Sequence, residues 1–385
     1  MRTLFFILCG LILYAYVGYP ALLWLLSRLF PRRHKVDPSH EPTMTILVAA
    51  YNEERVIGEK LDNLLALDYP RGKIQILVAS ESNDKTDQVV ERFVRADPSR
   101  VILMSSGIRK GKVANLHRAI PRATGEILVF TDANAMLGRD VLRKIVRHFA
   151  DPRVGSVSGR LVYEVPENAA SAVGESAYWD FEMMVKRASS RLGSLPGANG
   201  SLFALRRDLY LPISETRGDD FELPIRVIIA GYYSLLEPEA ISREPATGKF
   251  LHEYRRKVRI IHWMLTSALI LLAEAIKARR WLVAFQLLSH KINRWAVPFW
   301  LLALLPLSLA LVRAGPVYSI TAAAQVLIYT MALAGLVADR AALRLPRMLA
   351  LPLYFVVVNS ASLVAILSLV TGREVEWHKR PDGAI

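Results

Sequence analysis

The chain has 385 residues, a formal net charge of +14 and a 52% share of hydrophobic residues, which suffices for a catalytic domain together with membrane segments. One cysteine excludes a disulfide framework and a thiolate metal cluster. The basic residues lie beside apolar segments and form no module of interleaved aromatic and basic residues, so the charge predicts membrane contact and argues against nucleic-acid binding.

The chain begins with an apolar run at residues 4–29. At about 1.5 Å per helical residue, this run is long enough to cross ~30 Å of hydrocarbon. The sequence therefore predicts an N-terminal transmembrane helix over residues 1–30, followed by a polar, proline-bounded linker over 31–42. Basic residues such as Arg32 and Arg33 predict a cytoplasmic location for the next domain.

Strand and helix patterns alternate from residue 45 onwards. Such alternation predicts an α/β fold with a mostly parallel sheet covered by helices. No Gly-x-Gly-x-x-Gly follows the first strand, so a dinucleotide-binding fold is unsupported. The predicted strands are residues 45–50, 74–79, 101–104 and 127–130, and the predicted helices lie at 53–67, around 89–94 and at 113–120.

The fourth predicted strand ends in two side chains that carry oxygen, Asp132 and Asn134. Open α/β sheets bind ligands where parallel strands end. Two such side chains on a non-helical turn can both point at one hard cation, Mg²⁺ or Mn²⁺, and the cation can hold a diphosphate. The alternative is an ordinary turn, because Asp and Asn side chains also hydrogen-bond the local backbone.

The chain becomes apolar again after residue 250. Two shorter segments, interrupted by charged residues, predict amphipathic helices that lie in the membrane interface over residues 251–294. Longer apolar runs at 295–312, 317–337 and 349–370 predict three transmembrane helices within residues 295–371, before a tail at 372–385. Together with the first helix this makes four spans.

Five motifs resemble those of a known family in their order and spacing. They are VAAYNEE at residues 48–54, RKGK at 109–112 with Asn115, TDAN at 131–134, GANGSLFALRRD at 197–208 and DDFEL at 219–223. Together they resemble a membrane-integrated family 2 glycosyltransferase, related to cellulose, chitin, hyaluronan and poly-N-acetylglucosamine synthases. The resemblance implies a GT-A (nucleotide-diphospho-sugar transferase) domain over residues 43–250, with transmembrane helices at both ends.

The resemblance places the nucleotide base and ribose beside the first two strands. Tyr51 and Glu53 would face the base and ribose. The family usually has an Asp that reads uracil at the end of the second strand, where this sequence has Ser80 and Glu81. Asp84 lies further on, and the alternative role for it is to cap the following helix.

The resemblance also assigns the diphosphate and its cation. Lys112, and less directly Lys110, would neutralise diphosphate oxygens as point charges, although a solvated basic loop is the alternative. Asp132 and Asn134 would hold the divalent cation and bring it to the substrate. Because Asn134 is neutral, Asp132 would carry most of the protein charge towards the cation.

On the acceptor side, the resemblance makes Asp220 the general base for the acceptor hydroxyl, with Asp219 in the substrate site beside it. The alternative role for this acidic pair is an N-terminal helix cap. Gly197 and Asn199 belong to a turn that would approach the acceptor sugar closely, because glycine permits such an approach.

The segment around Arg256 and Arg259 lies where synthases have Gln-x-x-Arg-Trp, which lines the acceptor site and touches the diphosphate. Here Arg256 replaces the Gln and Ile260 replaces the Trp, whose aromatic face stacks on the acceptor sugar. The absence of that Trp weakens the case for a processive polymerase. The alternative role for these arginines is a basic anchor beside the membrane.

The tail contains a conflict. Trp377, Lys379 and Arg380 resemble a C-terminal signature that relatives keep near the cytoplasmic active site. Four spans nevertheless place the tail on the opposite side of the membrane. Either one apolar run fails to cross, or the resemblance of the tail is accidental.

The sequence therefore predicts an inverting glycosyltransferase (a hexosyl- or N-acetylhexosaminyl-transferase). It would move a sugar from a UDP-sugar to a hydroxyl acceptor in polysaccharide or exopolysaccharide synthesis, with a divalent cation as cofactor. The first alternative is transfer of a single sugar to a membrane lipid. The second is a catalytically decayed component of an export complex that binds nucleotide sugars. In each case we expect an integral membrane protein with a cytoplasmic catalytic domain and no nucleic-acid partner.

Overall fold

The computed structural model describes residues 1–164, 172–215, 217–245, 250–341, 343 and 346–373, and the side chains of these residues except 172–180 and 250–253. A central sheet carries helices on both faces, and long apolar helices from both ends of the chain pack together beside it. The catalytic candidates lie between these two parts.

The sheet has eight strands. They are β1 Met44–Ala50, β2 Ile74–Ser80, β3 Val101–Ser105, β4 Ile127–Asp132, β5 Met136–Leu137, β6 Val154–Glu164, β7 Phe203–Arg206 and β8 Tyr233–Pro245. Their spatial order is β3-β2-β1-β4-β7-β6-β8-β5. The first four strands run parallel to one another, and β7 joins antiparallel to both β4 and β6. The predicted α/β fold with a mostly parallel sheet is confirmed.

Successive residues of β1 point to opposite faces of the sheet, as a strand requires. Ile46 and Val48 lie in one hydrophobic core, whereas Leu47 lies in the other. Helices α3 Ile57–Leu65, α4 Thr86–Ala96 and α6 Val141–Val146 cover the first core; α5 Lys112–Ala119 and α8 Asp219–Ile229 cover the second. Helix α7, Ala172–Arg191, lies between α6 and α8 in the chain.

Helix α3 begins at Ile57, four residues later than the predicted start at residue 53. The reason is that the preceding turn is tied to a second loop. The backbone N–H of Glu53 donates to Thr86 Oγ1 at 2.8 Å, and Asn52 adopts a left-handed conformation with φ 56°. These contacts prevent the turn from joining the helix.

The remaining helices are long and apolar. An N-terminal helix over Arg2–Leu29 consists of α1 Arg2–Leu13, a π-helical turn and α2 Tyr19–Leu29. The C-terminal helices are α9 Phe250–Lys277, α10 Trp281–Gln286, α11 Asn293–Ala310, α12 Pro316–Arg340 and α13 Arg347–Val370. Apolar helices at both ends of the chain, as predicted, are confirmed.

Among the residues described, five helices are long and apolar enough to cross a membrane, judged by length and composition. The sequence predicted four. The additional candidate is Tyr254–Lys277, and a continuous helix over Trp281–Ala310 combines part of the predicted interfacial region with the next predicted span. The division of residues 251–371 into interfacial and spanning segments stays a prediction.

Both ends of α9 contact the domain that contains the sheet. Near its start, Arg256 Nη1 donates to the Tyr163 hydroxyl of β6 at 2.9 Å. Near its end, Glu274 accepts from Arg226 Nη1 of α8 at 3.0 Å. Since a spanning helix must carry one end about 30 Å away across the hydrocarbon, these contacts favour an orientation along the membrane surface.

Candidate active site

The carboxyl ends of β1, β2 and β4 lie at one edge of the sheet, because these strands are parallel neighbours. A cavity of ≈ 1990 Å³ opens at this edge and continues to the long helices. All the predicted site residues except Ser80 line it. They are Tyr51, Glu53, Glu81, Lys112, Asp132, Asn134, Gly197, Asn199, Asp219, Asp220, Arg256 and Arg259.

The turn after β1 has a fixed conformation. The backbone N–H of Asn52 donates to Ser82 Oγ at 2.9 Å, and Asn52 Oδ1 accepts from the N–H of Asn83 at 2.9 Å. At the cavity wall the Arg109 guanidinium carbon lies 4.1 Å from the centre of the Tyr51 ring. A flat aromatic and cationic surface is therefore available to a nucleotide base.

Ser80, at the end of β2, has a local contact, whereas Glu81 contacts a distant loop. Ser80 is fully buried, its hydroxyl donates to Ser82 Oγ at 2.9 Å, and it does not reach the cavity wall. Glu81 accepts the backbone N–H groups of Lys110 at 3.1 Å and Gly111 at 2.9 Å, so it holds the loop that precedes Lys112. The proposed base contacts of Ser80 and Glu81 stay predictions.

Asp84 lies two residues before helix α4. Its Oδ1 accepts from the backbone N–H of Thr86 at 2.9 Å and from the Thr86 hydroxyl at 2.5 Å. This satisfies an N–H group that the first helical turn leaves without a partner. The N-cap position itself belongs to Lys85, which makes no capping bond through its side chain, so Asp84 supports the first turn of α4 from just outside the helix.

Lys112 lies between two acidic residues. Its Nζ is 2.8 Å from Asp132 Oδ1 and 3.5 Å from Asp219 Oδ2. Burial alone lowers the pKa of Lys112, but the carboxylates of Asp132, Asp219 and Asp220 outweigh it and raise that pKa above its ordinary value. Lys112 is therefore a fixed positive charge on the cavity wall.

The predicted cation ligands lie on the cavity wall beside Lys112. Asp132 and Asn134 both line the cavity, and the buried Asp219 Oδ2 has a long ion-pair contact with Lys112 Nζ at 3.5 Å. These oxygens suit a hard cation such as Mg²⁺ or Mn²⁺. In the ranges that the structure covers, no three His, Cys, Asp or Glu side chains form a ready metal cluster. A cation held by Asp132 and Asn134 would therefore depend on substrate oxygens for its remaining ligands.

Asp220 lies in the first turn of α8, where two glycines leave room for its carboxylate. A Cβ atom at Gly200 would lie 3.1 Å from Asp220 Oδ2, and one at Gly218 would lie 3.1 Å from Oδ1. Burial and the neighbouring Asp219 raise the pKa of Asp220 to about 6, against the opposing effect of Lys112. A carboxylate with this pKa can accept a proton near neutral pH.

The predicted acceptor-side turn is held against α8. The Ala198 N–H donates to the backbone carbonyl of Asp220 at 2.7 Å, and Gly197 has φ +111°, which favours glycine. Asn199 donates to the Gly159 carbonyl and accepts from Lys186 Nζ at 2.7 Å. The turn and the candidate base therefore form one rigid unit.

Helix α9 supplies the opposite wall through Arg256 and Arg259. The guanidinium carbon of Arg259 lies 5.6 Å from the Trp263 ring centre, and Trp263 also lines the cavity. Ile260 replaces the aromatic residue of the synthase motif, but Trp263, about one helical turn further on, supplies an aromatic face to the cavity.

Lys60, which was not among the predicted site residues, lies under the Asp132–Asn134 turn. Its side chain is fully buried, and its Nζ donates to Thr131 Oγ1 at 2.8 Å and to the Ala135 carbonyl. Burial lowers its pKa to about 7, against the raising effect of Asp132. The sequence contained one sign of this burial, because Lys60 lies three residues after Ile57 and so falls within the apolar stripe of the predicted helix.

A second missed group lies where α7 meets the long helices. Glu182 of α7 is buried and accepts from Arg294 Nη1 at 3.1 Å, with His290 Nε2 at 3.2 Å. These residues and Lys291 line the same cavity as Asp220. The interruption of an apolar run by His290, Lys291 and Arg294 was visible in the sequence, but the partner on α7 was not.

Comparison with known proteins identifies the domain. The model of the family described as "Glycosyltransferase like family 2" matches residues 42–262. A beta-monoglucosyldiacylglycerol synthase of Trichormus variabilis is 29% identical over 192 residues, which are 48% of this chain and 41% of that protein. An N-acetylglucosaminyltransferase of Neorhizobium galegae is 25% identical over 248 residues, 60% of this chain and 56% of that protein. The chain spans less than two thirds of the length of these relatives.

A solved structure is similar over nearly the whole chain. It is a mannosyltransferase from Pyrobaculum calidifontis in complex with GDP-Man and Mn²⁺. The TM-score is 0.72 and the sequence identity 27%, and the alignment covers 96% of this chain and 100% of that one. The similarity therefore includes the long helices as well as the sheet.

Proposed function

The chain belongs to the glycosyltransferase-like family 2, and from this premise we propose that it transfers a sugar from a nucleotide sugar to an acceptor hydroxyl with inversion at the anomeric carbon. The observation that carries the proposal is one cavity that holds both a charged Lys112–Asp132 centre and the candidate base Asp220. A donor diphosphate and an acceptor hydroxyl can therefore meet there.

The donor side supports binding of a nucleoside diphosphate. Lys112 supplies a positive charge, and Tyr51 with Arg109 supplies a surface for the base. Sequence reasoning favours UDP, whereas the similar mannosyltransferase was solved with GDP-Man, so both nucleotides belong in the test. Asp132 and Asn134 would hold a divalent cation, which would offset charge on the leaving diphosphate.

Asp220 supplies the base in this proposal. Its carboxylate takes the proton of the acceptor hydroxyl while that oxygen attacks the anomeric carbon, and the bond from this carbon to the diphosphate oxygen breaks. The sugar is thereby transferred and a nucleoside diphosphate leaves. The ammonium of Lys112 attracts the negative charge that develops on the leaving group.

We propose a membrane lipid as the acceptor. The cavity that begins at the sheet edge is also lined by Tyr16 of the N-terminal helix and by Asn359 and Ser362 of α13. A lipid can therefore enter from between the long helices. The relative named as a beta-monoglucosyldiacylglycerol synthase supports this acceptor class.

Polysaccharide synthesis is the second candidate. Trp263 offers an aromatic face to a sugar, and several relatives are named N-acetylglucosaminyltransferases. The two candidates differ in the product: a lipid carrying one or a few sugars partitions into organic solvent, whereas a polysaccharide does not.

The test uses the full chain in nanodiscs made from a bacterial lipid extract, with Mn²⁺ and a panel of radiolabelled UDP- and GDP-sugars. We expect one donor to give label that extracts into organic solvent, and we expect Asp220→Asn to lower the rate of that labelling by about 10³-fold. Label in a large water-soluble product would replace the lipid acceptor with polysaccharide. Absence of transfer from every donor, with intact nucleotide binding, would contradict the proposal.

A further inference from the structure

A group of three cationic residues lies in the cavity beyond Asp220, and we call Lys186, Lys291 and Arg294 the cation cluster. They come from two separate parts of the chain. Lys186 is on α7, whereas Lys291 and Arg294 flank the start of α11. None of them belongs to the Lys112–Asp132 centre described above.

The cation cluster carries more positive charge than its neighbours neutralise. Glu182 is already engaged by Arg294 and His290. Lys186 donates to the neutral Asn199, and the ammonium of Lys291 lies 5.9 Å from the ring centre of Phe221. Among the side chains that the structure describes, no carboxylate forms an ion pair with Lys186, and none does so with Lys291.

Without a bound anion, the excess positive charge of the cation cluster destabilises the folded protein, because the cluster is partly shielded from water. Burial, with the repulsion of Lys291, lowers the pKa of Lys186 to about 8, although the carboxylates of Glu182 and Asp220 attract its charge. Like charges gathered in a partly desolvated space destabilise one another unless an opposite charge joins them. An anionic ligand placed among the three cations would remove that repulsion.

The position of the cation cluster indicates which anion it would meet. On one side, Lys186 contacts Asn199 of the acceptor-side turn, and Lys291 lies near Phe221, the residue after Asp220. On the other side the Arg294 guanidinium carbon lies 6.0 Å from the ring centre of Tyr16, which belongs to the N-terminal apolar helix. A group bound here lies between the candidate base and the hydrocarbon.

We propose that the cation cluster binds a phosphate group of the acceptor lipid, so that this enzyme takes phosphorylated lipids in preference to neutral ones. The inference rests on the proposed function, because it presumes a lipid acceptor in this cavity. The lipid chain would extend between the N-terminal helix and α13, whose Val358, Asn359 and Ser362 line the same cavity. The acceptor hydroxyl would point towards Asp220.

Lys291 is the residue to change. Arg294 is unsuitable because its removal would leave the buried Glu182 carboxylate short of a partner, which destabilises a protein strongly. Lys291→Gln removes one charge, and Lys291→Arg keeps it. Lys277→Gln is the matched control, because Lys277 is an exposed lysine at the end of α9 that does not line the cavity.

The experiment measures equilibrium binding to the detergent-solubilised full chain in the absence of any donor. The probes are farnesyl phosphate, its neutral counterpart farnesol, and inorganic phosphate. We expect farnesyl phosphate to bind about tenfold more tightly than farnesol and inorganic phosphate. Lys291→Gln should weaken binding of farnesyl phosphate by about tenfold and leave binding of farnesol unchanged. Lys291→Arg should restore most of the affinity, and Lys277→Gln should match the original protein.

Equal affinity for farnesyl phosphate and farnesol, or no effect of Lys291→Gln, would overturn the proposal. Inorganic phosphate that binds as tightly as farnesyl phosphate would overturn it too, because the cation cluster would then be a site for a free anion. Binding of UDP or GDP with Mn²⁺ is measured in every variant to confirm an intact fold. This binding experiment requires no sugar transfer. A negative binding result would therefore not contradict the proposed transferase activity, and a negative transfer assay would not affect the interpretation of the binding result.

Discussion

The Lys112 ammonium lies 2.8 Å from Asp132 Oδ1. Asp132, the main candidate ligand for a cation, is therefore paired with Lys112, the main candidate ligand for the diphosphate. The two residues come from different elements, the start of α5 and the end of β4. Their pairing neutralises part of the charge of an otherwise acidic centre, to which Asp219 and Asp220 also contribute. A diphosphate with its cation brings opposite charges that can replace this pairing.

The charge at Asp132 should matter more than the amide at Asn134. We expect Asp132→Ala to lower kcat/KM by about 100-fold and Asn134→Ala by about tenfold, because only Asp132 brings a full charge to the cation. Asn134→Asp should retain transfer and require less Mn²⁺. Titration of Mn²⁺ in the transfer assay measures all three. A greater loss in Asn134→Ala than in Asp132→Ala would show that the proposed ligand arrangement is wrong.

The rate of transfer should follow the ionisation of Asp220. Because burial and Asp219 raise its pKa to about 6, the carboxylate is ionised above that pH and protonated below it. We expect kcat/KM to rise about tenfold per pH unit below pH 6 and to level off above it. Asp220→Asn should lower the rate by about 10³-fold and remove this dependence. Asp62→Asn, an exposed carboxylate on α3, serves as control and should leave the profile unchanged.

Lys60 should make stability depend on pH. Its pKa is lowered to about 7 in the folded protein, whereas an unfolded lysine titrates near 10.4. Between these values the unfolded chain binds one more proton, so stability rises with pH by about 1.4 kcal/mol per unit from this group. We expect Lys60→Met to remove that rise in Tm between pH 7.5 and 9.5, and the exposed Lys85→Met to keep it. Identical pH profiles for the two variants would rule out a buried, neutral Lys60.

The location of the tail tests the orientation of α9. Contacts of Arg256 and Glu274 keep both ends of α9 on the catalytic domain, so we expect four crossings and a tail on the far side of the membrane. In a Cys9→Ser background, Ala384→Cys should react with an impermeant maleimide in intact cells. Ser39→Cys, in the exposed linker, should react only after permeabilisation. If Ala384→Cys is protected from the maleimide in intact cells, α9 crosses the membrane and the tail lies on the active-site side. The resemblance of Trp377, Lys379 and Arg380 suggests that location. Those three residues lie outside the described ranges.

The sequence by itself determined the α/β class, the apolar helices at both ends and the family, and each of these is confirmed. The physical reason is that these properties follow from local order. Alternating strand and helix periods specify a parallel sheet, and parallel strands necessarily end at one edge. The motif after each strand therefore reached the same cavity, as Tyr51, Lys112 and Asp132 do.

Only the tertiary structure decided what each polar side chain contacts. Ser80 also lies at a strand end, but its side chain is buried and bonded to Ser82. Glu81 lines the cavity, but its carboxylate is already bonded to the backbone of the loop at Lys110. Lys60 is buried because the apolar stripe of α3 packs beneath β4. Glu182 and Arg294 meet although 112 positions separate them in the chain. Hydrophobic periodicity records which face of an element is buried, but it contains no information about which distant element will cover that face.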